Sequence, residues 1–176
     1  MATFTSREDE QFFAAIGRLT ISWAEIELGL DCAVDIIHRF LGGDKIDAEA
    51  PRTSLYRKMK YIRKWSKTIP EQTFREAVPI LLDQIASAAE TRHDMIHGIV
   101  VSMEEGTGEA EMVRLIHSAT KPTDKKYFKV TTKDILTAAV AASKLATRSL
   151  AMGTGLQDLI HMLAEEAKKS EGELGS

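Results

Sequence analysis

The sequence predicts an all-α protein, a helical bundle with one small two-stranded β-hairpin inserted between the third and the last long helices. Two observations lead to this prediction. Apolar side chains recur at steps of three and four over most of the 176 residues, as on the buried face of a helix. Only one stretch differs, where the β-branched runs IVVSM (99–103) and MVRLIH (112–117) flank the loop-like EEGTGEAE. Because the length is that of about one domain, we expect a single domain over 1–169.

The helices are placed by their caps and breakers. Ser6 and Asp9 approximate a capping box, and Gly42 and Gly43 stop the helix that follows them. The first helix is therefore predicted from Ser6 to about Phe40, with a loop through Pro51 after it. The second, third and last helices are predicted over about 53–68, 71–97 and 134–168.

The segments around the last helix are predicted from their polarity. The stretch from Lys121 to Lys129 is polar and contains Pro122, so we expect a connector without regular structure. Thr131 or Thr132 then caps the last helix. The final seven residues, SEGELGS (170–176), are polar and predicted to be a disordered tail.

Composition favours a cytoplasmic protein that does not associate with membranes. No run approaches the roughly 18 apolar residues that span a bilayer, and the N-terminus MATFTSREDE lacks the basic and apolar regions of a signal peptide. The one cysteine, Cys32, excludes an internal disulfide and a multi-cysteine zinc site. Its place in an apolar helical pattern predicts a buried thiol. We expect no cofactor.

Positive charge is concentrated in one segment of a chain whose net charge is −3. Residues 51–70 contain seven Lys or Arg and no Asp or Glu. Four of them recur at helical spacing and form a basic stripe that could contact an RNA backbone, with Tyr56 and Tyr61 nearby for base stacking. The alternative is a solvated helix face that balances the acidic first helix. The basic stripe consists of Arg57, Lys60, Lys64 and Lys67.

The densest group of ionisable side chains closes the third helix, over 90–98. Here Arg92, His93, Asp94 and His97 fall within six residues. Histidine can move protons near neutral pH, and arginine can grip two phosphate oxygens through its planar fork, so the group suits phosphodiester cleavage. A plainer interpretation is that His97 stabilises the helix end and Arg92 pairs with a neighbouring carboxylate on a solvated face.

The segment Arg92-His-Asp-Met-Ile-His97 resembles the R-x4-6-H motif of the HEPN superfamily, in which the residue after the arginine is usually polar. The context is similar too, because the motif closes a core helix and is followed by Gly98 and a short hairpin. A long N-terminal helix precedes it, in which GRLTISWAEIE carries Gly17, Trp23 and Glu25. The likeness covers roughly residues 10–165, in the manner of small bacterial HEPN-like proteins.

This resemblance implies a homodimer in which two such motifs meet, and a metal-independent endoribonuclease of toxin or defence type, with an antitoxin protein as a possible partner. It implies that His97 acts as general base or acid, and that Arg92 stabilises charge on the phosphorane. His93 would position phosphate or tune His97, and Asp94 would orient one of the histidines. The products would be a 2′,3′-cyclic phosphate and a 5′-hydroxyl. Whether the chain is an enzyme stays open from its sequence.

Helix geometry bears on how such a site could form. Five residues rotate a regular helix by about 500°, so Arg92 and His97 lie about 140° apart and about 7.5 Å along the axis. We therefore expect a site built from two subunits, or a distorted last turn, to bring them together. His93 and His97 are four residues apart and share a face.

Two alternatives stay open. One is a non-catalytic module of the same type that only binds a nucleotide, RNA or a protein. The other is a di-metal carboxylate bundle, since an acid and a histidine at i, i+3 also occur in di-iron proteins. That spacing is found in Asp35-x-x-His38, Glu90-x-x-His93 and Asp158-x-x-His161.

Overall fold

A computed structural model describes residues 6–52, 54–104, 107–118 and 121–174. Within these ranges no helix is long and apolar enough to cross a membrane. A short 3-10 turn, Gly43–Lys45, follows the first helix. The helices are α1 (Arg7–Phe40), α2 (Leu55–Ser66), α3 (Gln72–His97) and α4 (Thr132–Leu174). The strands are β1 (Ile99–Glu104), β2 (Glu109–Ser118) and β3 (Lys121–Thr131).

The predicted all-α class is wrong. The protein is mainly helical but mixed α/β, because the insertion is a three-stranded antiparallel sheet in the order β1-β2-β3. The segment expected to be an irregular connector is β3. The first half of this segment is polar and lacks the alternating pattern that predicts a strand. The alternation of apolar side chains starts only at Phe128 and Val130. Pairing with β2 decides its conformation, through Met112 opposite Phe128 and Ala110 opposite Val130.

The inner face of the sheet packs against the end of α3. Ala110, Met112 and Val130 are buried on this face. Gly98 joins α3 to β1, and a Cβ atom there would lie 2.8 Å from both the Asp94 carbonyl oxygen and the Met112 side chain. Only glycine fits at position 98, where the backbone of α3 and the Met112 side chain come this close. Strand β1 can therefore begin directly after α3, and the sheet lies beside the last turn of that helix.

The predicted caps of α1 and α4 are confirmed. Ser6 and Asp9 bond reciprocally, with Asp9 N donating to Ser6 Oγ at 3.2 Å and Ser6 N donating to Asp9 Oδ2 at 3.0 Å. Thr131 and Asp134 repeat the arrangement at α4, at 3.1 and 2.9 Å. Helix α4 continues through Leu174, and residues 175–176 of the predicted disordered tail lie outside the described residues.

The chain divides into two compact units, Met1–Ala24 with Ile85–Lys144 and Glu25–Gln84 with Leu145–Ser176. Each unit buries its own apolar side chains. In the first these come from α1, α3, the sheet and α4, and include Phe12, Leu19, Ile85, Met112 and Ile135. In the second they include Ile26, Leu30, Ile62, Trp65, Leu82 and Leu156. A single domain over 1–169 stays a prediction.

Candidate functional site

The last two turns of α3 bring three predicted site residues into contact. Arg92 Nη1 lies 3.1 Å from His97 Nε2. The rings of His93 and His97 lie 4.7 Å apart between centroids, at an interplanar angle of 58°. Arginine only donates hydrogen bonds, so this contact requires His97 Nε2 to accept, and the remaining ring proton is then on Nδ1. That is the neutral imidazole, the form able to take up a proton.

Arg92 reaches His97 without a second subunit, because its long side chain spans the angle that separates the two positions on α3. Trp23 of α1 supports it from the other side, with the guanidinium carbon 5.5 Å from the ring centroid. The helix is continuous through His97. The expectation that a composite site or a distorted turn is needed is therefore wrong, and the homodimer loses its geometric argument.

Asp94 lies beside the histidines but contacts two cations of the sheet. Its Oδ1 lies 2.5 Å from Arg114 Nη1, and its Oδ2 lies 2.6 Å from Lys126 Nζ. Arg114 and Lys126 face one another across β2 and β3. The sequence prediction omitted both. A signal for Arg114 exists in MVRLIH, because it shares the inward face of β2 with Met112, which is where a strand normally carries apolar side chains.

Charge and burial depress the basicity of one histidine in this group. Partial burial lowers the pKa of His93 below its usual 6.5, and the nearby Arg114, His97 and Arg92 lower it further, against the opposing charge of Asp94. His93 is consequently neutral at physiological pH. With three permanent cations and one carboxylate, the group carries a surplus of positive charge that favours an anionic ligand.

Two arginine donors in this group have no acceptor. The Nε atoms of Arg92 and Arg114 are buried and bond to no acceptor within the described part of the chain. Both histidines are exposed, whereas Arg92 and Asp94 are half-buried. A cavity of about 320 Å³ adjoins Asp94 and is lined by the acids Glu90, Asp94 and Asp134 and by Lys129, but not by Arg92, His93 or His97. The histidines therefore lie on an open surface, which suits a polymer better than an enclosed small molecule.

The basic stripe lies on α2, in the second unit. Arg57, Lys60 and Lys64 line an open cleft of about 1340 Å³ together with the end of α1 and residues 47–52. Lys64 Nζ donates to the Ile46 carbonyl oxygen at 2.9 Å. Arg57, Lys60 and Lys67 are exposed and form no ion pair with any described residue.

Other cations of this segment have structural partners. Lys58 is buried and lies 2.5 Å from Asp31, and Arg63 lies 2.5 Å from Asp83. Acids also line the cleft, so its surplus of positive charge is small. Two of the seven cations of residues 51–70 are therefore paired with acids, and the remaining charge is spread along the helix.

Two expectations about single residues are wrong. Tyr56 is 68% exposed and can stack on a base, but Tyr61 is only 3% exposed and cannot. The Tyr61 hydroxyl lies 3.0 Å from His38 Nδ1, and burial, with nearby Asp47 and Asp44, raises its pKa to about 12. Cys32 is exposed rather than buried. A Cβ atom at Gly153 of α4 would lie 3.9 Å from the Cys32 Cβ, so Cys32 lies next to α4.

No group of three or more His, Cys, Asp or Glu side chains within the described ranges is arranged to hold a metal ion. Among these residues, Glu90 and His93 are not joined by acids from other helices, and the same holds for Asp35 with His38 and Asp158 with His161. The di-metal alternative thus lacks, in the described part of the chain, the bridging glutamates that such a centre requires.

Comparisons with known proteins identify no relative of this chain. No family model matches it, and neither a curated protein nor a solved structure is similar to it.

Proposed function

We propose that the protein is a metal-independent endoribonuclease whose site is the group Arg92, His93 and His97 at the end of α3. The observation that carries this proposal is the contact of 3.1 Å between Arg92 Nη1 and His97 Nε2 within one chain. It places a permanent cation that can bind phosphate against a neutral imidazole on an exposed surface. The similarity of residues 92–97 to the HEPN motif supports the same function.

The chemistry is transesterification within RNA. A neutral histidine takes the proton of the ribose 2′-hydroxyl as its oxygen attacks phosphorus, and a bond forms between O2′ and phosphorus. The bond from phosphorus to O5′ then breaks, and the imidazolium that has taken up the 2′-hydroxyl proton gives that proton to O5′, so the histidine returns to its neutral form. The products are a 2′,3′-cyclic phosphate and a 5′-hydroxyl.

Arg92 must change partners during this reaction. In the free protein it donates to His97 Nε2, the lone pair that a general base would use. A phosphate bound by Arg92 draws the guanidinium away, because two oxygens of an anion are stronger acceptors than an imidazole nitrogen. Substrate binding then frees His97 when a base is required. Arg92 stays bonded to the phosphate and stabilises charge on the phosphorane.

We also propose that the exposed part of the basic stripe contacts the RNA backbone. Arg57, Lys60 and Lys67 support this, because they carry charge with no ion-pair partner within the described residues. Lys64 contributes charge while it bonds to the Ile46 carbonyl oxygen. A homodimer, a cytoplasmic toxin or defence role and an antitoxin partner are parts of the proposal that rest on the HEPN resemblance.

The test is incubation of the protein with end-labelled single-stranded RNA in EDTA, followed by analysis of the ends. We expect cleavage to persist in EDTA and to leave a 2′,3′-cyclic phosphate. A matched strand with a single 2′-deoxyribose should resist cleavage at that position alone. Cleavage that stops in EDTA and is restored by manganese would overturn the proposal in favour of metal-dependent hydrolysis. Wild-type protein that binds RNA without cleaving it would favour the non-catalytic binding module.

A further inference from the structure

Two cations on the sheet lie at the edge of the candidate site without a role in the transesterification chemistry. Arg114 of β2 and Lys126 of β3 are direct cross-strand neighbours, and both contact the carboxylate of Asp94. Their side chains are 20% and 45% exposed, so neither is enclosed. One carboxylate cannot neutralise two cations, and the pair keeps a net positive charge at the surface.

The position of Asp94 on α3 sets where these cations lie. Successive residues of a helix advance by about 100°, so His93 and His97 lie about 40° apart, between Arg92 on one side and Asp94 on the other. The histidine pair is therefore flanked by two separate sources of positive charge. One is the Arg92 guanidinium, and the other is the pair of sheet cations held by Asp94.

Arg114 has donors to offer beyond its ion pair. A guanidinium carries five N–H groups, and the ion pair with Asp94 is made through Nη1 of Arg114. The Arg114 Nε is buried and has no acceptor within the described part of the chain, so the N–H groups left for an arriving anion are those on Nη1 and Nη2. The Lys126 ammonium lies over the Phe128 ring, 5.8 Å from its centroid, and the Lys126 side chain is 45% exposed. An anion that arrives beside Asp94 would find donors from both strands.

We propose that Arg114 and Lys126 bind the phosphate next to the one that is cleaved, so that this site acts on RNA with at least two consecutive phosphodiesters. This proposal rests on the proposed ribonuclease function, because that function defines which phosphate is cleaved. Asp94 is a positioning residue in this arrangement, because it holds both cations beside the histidines. Neighbouring phosphates of one strand would then occupy the two flanks of the histidine pair.

Binding is measured first, because it does not depend on cleavage. The probe is a fluorescently labelled single-stranded 2′-deoxy-oligouridylate, titrated by anisotropy at several salt concentrations. We expect Lys126→Gln to weaken binding and to lower the salt slope by about 0.7, and Arg114→Gln with Lys126→Gln to lower it by about 1.4. Lys125→Gln is the matched control, since Lys125 is adjacent in β3 but on the opposite face of the sheet. It should leave the slope near the wild-type value.

Cleavage is measured second, with UpU and UpUpU as substrates. We expect the wild type to cleave UpUpU at least about tenfold faster than UpU, because one charge-assisted contact is worth about 1.5–3 kcal/mol. Lys126→Gln should remove most of that advantage and change UpU cleavage little. Thermal unfolding of each variant checks that the sheet stays folded, and Lys126→Gln alone serves if the double variant unfolds.

The outcomes separate the two proposals. Cleavage of UpU and UpUpU at equal rates, or equal binding by Lys126→Gln and Lys125→Gln, overturns the second phosphate site and leaves the ribonuclease proposal standing. An inactive wild type whose binding still falls with Lys126→Gln overturns the ribonuclease proposal and supports the sheet cations as a phosphate site. An inactive wild type with unchanged binding overturns both.

Discussion

The end of α3 and the basic stripe of α2 are the two regions where the sequence concentrates candidate functional side chains, and the two differ in how their side chains are arranged. At the end of α3, side chains from α1, α3, β2 and β3 meet around two histidines and one carboxylate. On α2, the charges diverge along one helix. Asp31 pairs with Lys58, Asp83 pairs with Arg63, and a carbonyl oxygen binds Lys64.

This difference is one of convergence against charge density, and the proposed chemistry depends on convergence. A residue on a helix face can contribute charge, but catalysis requires groups within hydrogen-bonding distance of one another. At the end of α3, two cations share the single carboxylate of Asp94. The remaining positive charge lies beside the two histidines. On α2 the cations point in different directions along the helix, and two of them, Lys58 and Arg63, are paired with acids. If the two regions differ in function as they do in geometry, variants in them should affect different steps.

The largest expected effect is that of His97→Ala on RNA cleavage. A general acid or base contributes about 10²–10⁴-fold, so cleavage should fall by that factor. Because His97 is exposed, Tm should shift by about 2 °C or less. His161→Ala is the control, since His161 is an exposed histidine of α4. Equal activity of both variants would remove the chemical distinction between the two regions.

Arg92→Lys is expected to have the next largest effect. Lysine keeps the charge but lacks the planar fork that holds two phosphate oxygens, and a charge-assisted hydrogen bond is worth about 1.5–3 kcal/mol. We therefore expect cleavage to fall about 10- to 100-fold in kcat, measured with saturating RNA. Arg18→Lys, at an exposed position of α1, should be silent. A wild-type rate for Arg92→Lys would mean that charge alone suffices at this position.

Charge reversal of the stripe should act on binding rather than on turnover. Lys60→Glu with Lys64→Glu should weaken RNA binding, and the salt slope should fall by about 0.7 for each single-strand phosphate that the protein no longer binds. The rate at saturating RNA should change little. Lys133→Glu with Lys144→Glu, at exposed positions of α4, controls for net charge. If both pairs behave alike, the stripe is only a solvated helix face.

The smallest expected effect concerns the pH dependence of stability. The pKa of His93 is lowered in the folded protein, so between that value and 6.5 the unfolded chain binds more protons. The contribution of His93 is fully present above pH 6.5 and disappears as the pH falls through the folded pKa. His93→Gln should therefore flatten the decrease in Tm between pH 7 and pH 5. An identical decrease in wild type and variant would show that folding does not lower the pKa of His93.

The parts of the fold that could be predicted are those formed by residues close together in the sequence. The α1 cap forms between Ser6 and Asp9, three residues apart, so the sequence alone was enough to find it. Strand β3 is different, because Lys121 to Lys126 carry no apolar alternation and become a strand only by pairing with β2. The burial of Tyr61 likewise depends on α1 and the loop after it, which lie far away in the sequence.

The candidate site divides in the same way. The sequence by itself determined that Arg92, His93, Asp94 and His97 are together, because they lie on one stretch of helix. It placed Arg92 and His97 too far apart, because backbone geometry takes no account of how far a long side chain reaches. It also gave no sign that Trp23 lies against the Arg92 guanidinium. Only the tertiary structure decided what Asp94 binds. Arg114 and Lys126 are 20 and 32 residues away along the chain, and they meet Asp94 because antiparallel pairing places them opposite one another and Gly98 lets the sheet approach the helix closely.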